Sequence, residues 1–222
     1  MFSKDDIKPV IILFYAAAAA SVWKYCTLQT SNVLIGEYKI ITAFVLFGLL
    51  PMSIVRFVFC EKLADYGLQF GNPLRTVRSF LMMAPFAALI AYLSGQSAVF
   101  ADVYPFNELL RVQYTGLEHR IGYGLFAVHC VLYLGYYFGW EFLFRGFMQH
   151  GLSPRCGLPA AVCVQTLASV MLHYGHPGSE VFGAFAAGLV WGFIAYRTRS
   201  ILSGFGQHAV LGIVLDAMMI YQ

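Results

Sequence analysis

Glu141 and Arg145 stand four residues apart in the run Gly-Trp-Glu-Phe-Leu-Phe-Arg-Gly, residues 139–146. On a helix that spacing puts both side chains on one face, where they can pair. Such a pair in apolar surroundings either fixes helix packing or holds a carboxylate for acid–base chemistry, and the spacing alone does not separate the two. Further on, His173-Tyr-Gly-His176-Pro177 sets two imidazoles three residues apart near a helix end that the proline closes. Two imidazoles can begin a metal site, yet a third ligand is not evident and the HExxH spacing of helical zinc peptidases is absent. His208 and Asp216 are separated by about 80° around a helix and two turns along it, so they face broadly the same side. Glu180 falls at the start of a helix, where the dipole favours a carboxylate, so a capping role competes with a chemical one. His119, His129 and His150 read as interfacial or packing residues.

The elements that must position these groups are membrane spans. Hydrophobic residues make up 59% of the chain and charged residues 11%, against roughly 45–50% and about 25% in soluble domains. A water-facing surface cannot be covered from that supply, so lipid must solvate much of the molecule. The net charge of +3 is scattered rather than striped, which gives nucleic-acid binding no support. Five cysteines without a CxxC pair suggest neither a disulfide framework nor a thiolate zinc site, and read as small packing residues.

A bilayer core needs about 20 helical residues to cross it. Seven apolar runs approach that length, at 8–28, 38–59, 79–95, 121–148, 158–175, 180–197 and 200–221. The fold class expected is therefore all-α, a polytopic helix bundle forming a single membrane domain. Residues 1–120 hold three spans with their loops, and 121–222 hold the polar core in the last four. The first run has Asp5 and Asp6 where a cleaved signal peptide would be basic, so it reads as a retained span. Lys62, Arg75 and Arg78, with Arg56, place the 60–78 segment and hence the N-terminus on the cytoplasmic side; the 96–120 connection, with Asp102, Glu108 and Glu118, falls outside.

The last hundred residues contain three acids, Glu141, Glu180 and Asp216, all within or at the end of a span, whereas the acids of the first 120 read as loop or tail residues. Counting helical rise from the cytoplasmic ends puts Glu141 and His208 at similar depth, roughly 10–14 Å, with His173, Asp216 and Glu180 deeper, at roughly 22–26 Å. Such a column of acids and histidines also has the form of a proton pathway.

Residues 121–221 resemble the CAAX-protease and bacteriocin-processing (CPBP, also ABI) family of intramembrane endopeptidases. That family carries Glu-Glu-x-x-x-Arg, Phe-x-x-x-His and His-x-x-x-Asn, each on a transmembrane helix. The corresponding stretches here are Trp140-Glu141-Phe-Leu-Phe-Arg145, Ser169-Val-Met-Leu-His173 and His208-Ala-Val-Leu-Gly212. Trp140 stands where the family commonly has its first glutamate, Ser169 replaces the phenylalanine and Gly212 replaces the asparagine.

The resemblance implies a glutamic-type peptidase with no cofactor and no obligatory metal, acting on a membrane protein or peptide and sited in the bacterial inner membrane. It implies Glu141 as general base, Arg145 orienting it, and His173 sharing the water or protonating the leaving amine. His208 and Asp216 would hold the oxyanion side, with Asp216 taking the place of the absent asparagine; Trp140, His176 and Glu180 would support the site. Three other readings stay open at this stage. They are a non-catalytic relative acting as a membrane chaperone, sorting or immunity protein, a zinc-dependent membrane peptidase, and a proton-coupled carrier.

Overall fold

A computed structural model describes residues 4–26, 33–107, 110 and 123–221 of the chain. Among these, seven long helical paths make up the bundle. Helix α1 is Lys4–Tyr25. Helix α2 runs over 33–58 as successive α- and π-helical turns, with a break at Glu37. Helix α3 is Pro73–Gly95, and α4 runs over 123–156, passing from α-helical turns at Tyr123–Glu141 into π-helical turns at Phe142–His150. Helices α5, α6 and α7 are Leu158–Leu172, Gly178–Thr198 and Leu202–Tyr221. The loop residues Glu108, Glu118 and His119 lie outside the described residues.

The helix boundaries follow local chemistry. Helix α3 starts before the apolar run at 79 because Asn72 caps it, accepting a hydrogen bond from the Arg75 N–H at 3.0 Å, with Pro73 in the first turn. Gly157, at a φ of +79°, ends α4, and Pro159 sits in the first turn of α5. Pro177 precedes α6, and Arg199 in the left-handed region closes it.

Five of these helices are long and apolar enough to cross a membrane, and α5 is a shorter apolar helix. Large apolar side chains such as Leu74, Leu81, Phe182 and Phe193 stand exposed on their outer faces, which is the surface a lipid-solvated bundle presents. The protein is an all-α integral membrane bundle.

Its interior is aromatic. Trp140 on α4 packs edge-on to Trp23 of α1 at 5.7 Å between ring centroids and to Phe47 of α2 at 5.8 Å, while Phe144 and Phe147 continue the same buried wall. Helix α3 lies along α7, α5 along α6, and α2 along the first half of α4. Lys8 of α1 donates to Glu61 at 2.7 Å, and Tyr66 donates to the same carboxylate, so the start of α1 is tied to the 60–66 segment.

The crossing of α2 and α4 leaves no room for a side chain. A Cβ on Gly139 would stand 3.1 Å from the Ala43 carbonyl oxygen and 3.3 Å from the Gly48 nitrogen. Small residues at such crossings let backbones approach where dispersion rather than the hydrophobic effect drives association. The residue following that crossing is Trp140, so the contact also sets the depth and rotation of Glu141. Gly139→Leu should therefore separate α2 from α4 and destabilise the bundle by about 1–3 kcal/mol, the usual cost of overpacking. Thermal unfolding in detergent micelles checks this, with a lowered midpoint expected.

Candidate active site

Arg145 and Glu141 do share a face of α4, and Arg145 Nη1 donates to Glu141 Oε1 at 3.1 Å. The same Oε1 lies 2.9 Å from Nδ1 of His208 on α7. Glu141 is fully buried, and its second oxygen, Oε2, has no hydrogen-bond partner among the described residues and faces Gly204. The depth count from sequence, which set Glu141 and His208 level, agrees with this contact. Because a carboxylate accepts, His208 Nδ1 carries the hydrogen and Nε2 keeps its lone pair.

His173 follows the last turn of α5, and its Nδ1 lies 2.9 Å from the Ser169 carbonyl oxygen. A carbonyl only accepts, so this ring also holds its hydrogen on Nδ1 and has an unprotonated Nε2. Lys24 of α1 braces the turn by donating to the carbonyls of Leu172 at 2.8 Å and Tyr174 at 3.0 Å. His173 and His208 line one cavity of about 400 Å³ between α3, α4, α6 and α7, a size typical of a ligand site. Arg145 reaches its wall with its guanidinium 5.5 Å from the Trp191 ring, and Trp191 donates to Gln207 at 2.7 Å. The rest of the lining is mainly apolar, including Phe86 and Ile90 of α3 and Ala184 and Ala187 of α6.

The structure brings some expected site residues together and separates others. Trp140 is buried behind the histidines, its ring edge-on to His173 at 5.4 Å and to His208 at 6.2 Å. It forms a wall of the site and offers no carboxylate. Glu180 lines the cavity and accepts from Tyr104 at 2.8 Å, while its Oε1 also lies 2.8 Å from His176 Nδ1. The His173 and His176 rings pack edge to face at 5.7 Å, and among the described residues no three His, Cys, Asp or Glu side chains are grouped as a metal site would need.

Asp216 stands apart from this group. Eight residues beyond His208 means roughly 12 Å along α7, and its carboxylate accepts instead from the Phe106 N–H at 3.2 Å and meets His129 Nε2 at 2.9 Å. It orients a histidine, but that histidine is His129 rather than His173 or His208. The other nitrogen, Nδ1, lies 2.9 Å from Glu37, to which Asn107 also donates at 2.9 Å. His129 thus packs the helices through hydrogen bonds rather than at the interface, and Glu37 is no exposed loop acid: both are almost completely buried. With each ring nitrogen on a carboxylate oxygen, the cluster locks α2, the 104–107 loop, α4 and α7 together.

A single sequence row runs through both clusters. His129, Tyr133, Tyr137, Glu141, Arg145 and Gln149 recur every fourth residue of α4, and all are buried. The π-helical turns begin immediately after Glu141, and such widened turns often fall at functional sites. Gln149 donates to the Gly192 carbonyl at 2.8 Å and Gln165 to the Gly188 carbonyl at 3.0 Å, which hold α6 as the cavity wall. The every-fourth-residue spacing was the signal that could have revealed His129 and Tyr137; Lys24, Tyr104 and Trp191 gave none.

With this geometry in place, the comparison with known families gives one match. Residues 121–214, covering α4, α5, α6 and most of α7, match the family described as Type II CAAX prenyl endopeptidase Rce1-like. The match extends over less than half of the chain and marks that stretch as similar to a family of membrane proteases. No curated protein and no solved structure matches the chain.

Removing Asp216 leaves His129 and the Phe106 N–H without their acceptor inside the bundle. Asp216→Ala should cost about 3–5 kcal/mol, the penalty of breaking a buried charged pair. Thermal unfolding in detergent should show a large drop for this variant and a smaller one for His208→Ala, whose ring borders a cavity.

Proposed function

We propose that this chain is an intramembrane endopeptidase in which Glu141 acts through His208. The observation carrying this reading is the Glu141–His208 contact at one largely apolar cavity that His173 also lines. Two imidazoles with free Nε2 lone pairs face the place where a water and a peptide carbonyl can meet. His208 is the stronger base of the two, because the imidazolium it forms is stabilised by the carboxylate behind it, whereas His173 has only a carbonyl. His208 Nε2 takes a proton from water as the oxygen adds to the carbonyl carbon. The same proton then passes to the departing amine nitrogen as the C–N bond breaks, and the products are a carboxylic acid and an amine. His173 holds the water in line. Arg145 donates to Glu141 and holds it in register.

This assigns Glu141 a role one step behind that of direct general base, which its burial and its position off the cavity wall favour. The substrate class is a membrane-embedded protein or peptide whose cleavage site enters from lipid, since α3 and α6 give the cavity its apolar side. The distribution of Lys and Arg favours a cytoplasmic N-terminus, and we assign the chain to a bacterial inner membrane on the family resemblance of residues 121–221.

A second reading rests on Trp140, which supplies no acid where the family commonly has one. It is a non-catalytic relative acting as a membrane chaperone, sorting or immunity protein, using the same cavity to hold a partner.

Comparing the N-termini of membrane proteins in cells with and without this chain identifies a candidate substrate, which is then co-reconstituted with it. Wild-type protein should cleave it, and Glu141→Gln should lower kcat by about 10³- to 10⁴-fold while the variant stays folded. Undiminished cleavage by Glu141→Gln would remove Glu141 from the chemistry. Absence of cleavage by the wild type, with a deletion phenotype still rescued by Glu141→Gln/His173→Ala, would favour the second reading.

A further inference from the structure

Tyr137 is a buried, hydrogen-donating residue on the cavity wall that the scheme above leaves unused. It lies one turn before Glu141 on the same face of α4, and its ring packs against His208 with centroids 4.3 Å apart. Its hydroxyl reaches past His208 to the next turn of α7. There it rests on the bare Cα of Gly212, where an added Cβ would overlap the phenolic oxygen. The tyrosine oxygen therefore occupies the space that any side chain at position 212 would fill. The pairing is mutual: a large donor on α4 requires glycine on α7, and glycine on α7 leaves that helix with no donor of its own there.

We infer that the Tyr137 hydroxyl donates a hydrogen bond to the substrate carbonyl oxygen as water adds and negative charge develops on it. This rests on the peptidase reading. The addition turns a neutral carbonyl into an alkoxide within an apolar cavity, and a fixed donor there gains strength as the charge grows. Several of the polar groups around the cavity are not placed to donate in this way. His208 and His173 each present a lone pair rather than an N–H, and Glu180 is an acceptor. The Trp191 N–H is spent on Gln207, and Arg145 gives Nη1 to Glu141, its Nε having no partner among the described residues. Tyr137 offers an O–H about one turn of α7 from His208, on the wall that His208 shares, and aligned by two helices that cannot shift without opening the Gly212 contact. A donor beside the base, rather than beyond it, lets one bound carbonyl meet the attacking water and the hydroxyl together.

The test uses full-length protein in proteoliposomes with the substrate identified above. Tyr137→Phe removes one oxygen and leaves the ring on His208, so folding and KM should hold while kcat falls by about 100-fold, the usual loss of one such donor. A role confined to packing would instead lower the unfolding temperature and leave kcat per folded molecule unchanged. Gly212→Ala, which displaces the hydroxyl but keeps it, should reduce kcat similarly. Tyr137→Ala/Gly212→Asn, which offers an amide N–H from the opposite helix, should recover at least 10-fold over Tyr137→Ala alone. Wild-type cleavage matched by Tyr137→Phe overturns this inference and leaves the peptidase reading standing. No cleavage by the wild type overturns both.

Discussion

A carboxylate buried inside a lipid-solvated bundle is tolerated only if it is matched on the spot, and the arrangement of this protein follows from meeting that demand at Glu141. A charge at the centre of a membrane helix costs about 2.5–3.5 kcal/mol on insertion scales. Glu141 Oε1 therefore takes Arg145 from its own helix and His208 from α7. Fixing those three groups fixes the rotation of α4 relative to α7. It also carries Trp140 into the aromatic wall and Arg145 onto Trp191. The cavity opens on the far side of His208, so the buried charge reaches it through an imidazole rather than directly.

The same constraint is met a second time, at the other end of the polar row on α4. His129 answers two carboxylates, Glu37 from α2 and Asp216 from α7, and Asn107 and the Phe106 N–H supply the remaining hydrogen bonds. This cluster joins the N-terminal helices to the family-matched core. It separates two duties that a column of acids and histidines would otherwise share: His129 with its two acids holds helices, and His208 with Glu141 faces a cavity. The geometry breaks the column into two stations with tyrosines between them.

Much of the architecture was legible in the sequence because lipid imposes a coarse rule. Apolar runs of span length, broken by Pro, Gly and charged loops, gave seven helices whose limits agree with the structure to within about five residues, except that Asn72 and Pro73 start α3 a turn and a half early and α4 continues to Cys156, about two turns past the expected end at 148. The Glu141–Arg145 pair was legible for the same kind of reason, since spacing of four fixes a face. Asp216 was joined to the His208 group on shared direction although the depth count already set it deeper: it shares a side of α7 with His208, yet the two turns between them lead to a different neighbour. Glu37 and His129 were hidden because each looks ordinary alone, and only the crossing of α2, α4 and α7 brings them together. Lys24 was invisible for a stronger reason, as it caps carbonyls almost 150 residues away in the chain.

The central claim is that Glu141 holds His208 as a base with its hydrogen on Nδ1 and its lone pair on Nε2. Nitrogen-15 NMR of histidine-labelled protein in lipid, with His208 assigned from the His208→Ala spectrum, reads this directly. The account predicts a protonated Nδ1 in a strong hydrogen bond, an unprotonated Nε2, and loss of that pattern in Glu141→Gln. A His208 ring with its hydrogen on Nε2, or one unchanged by Glu141→Gln, would contradict it.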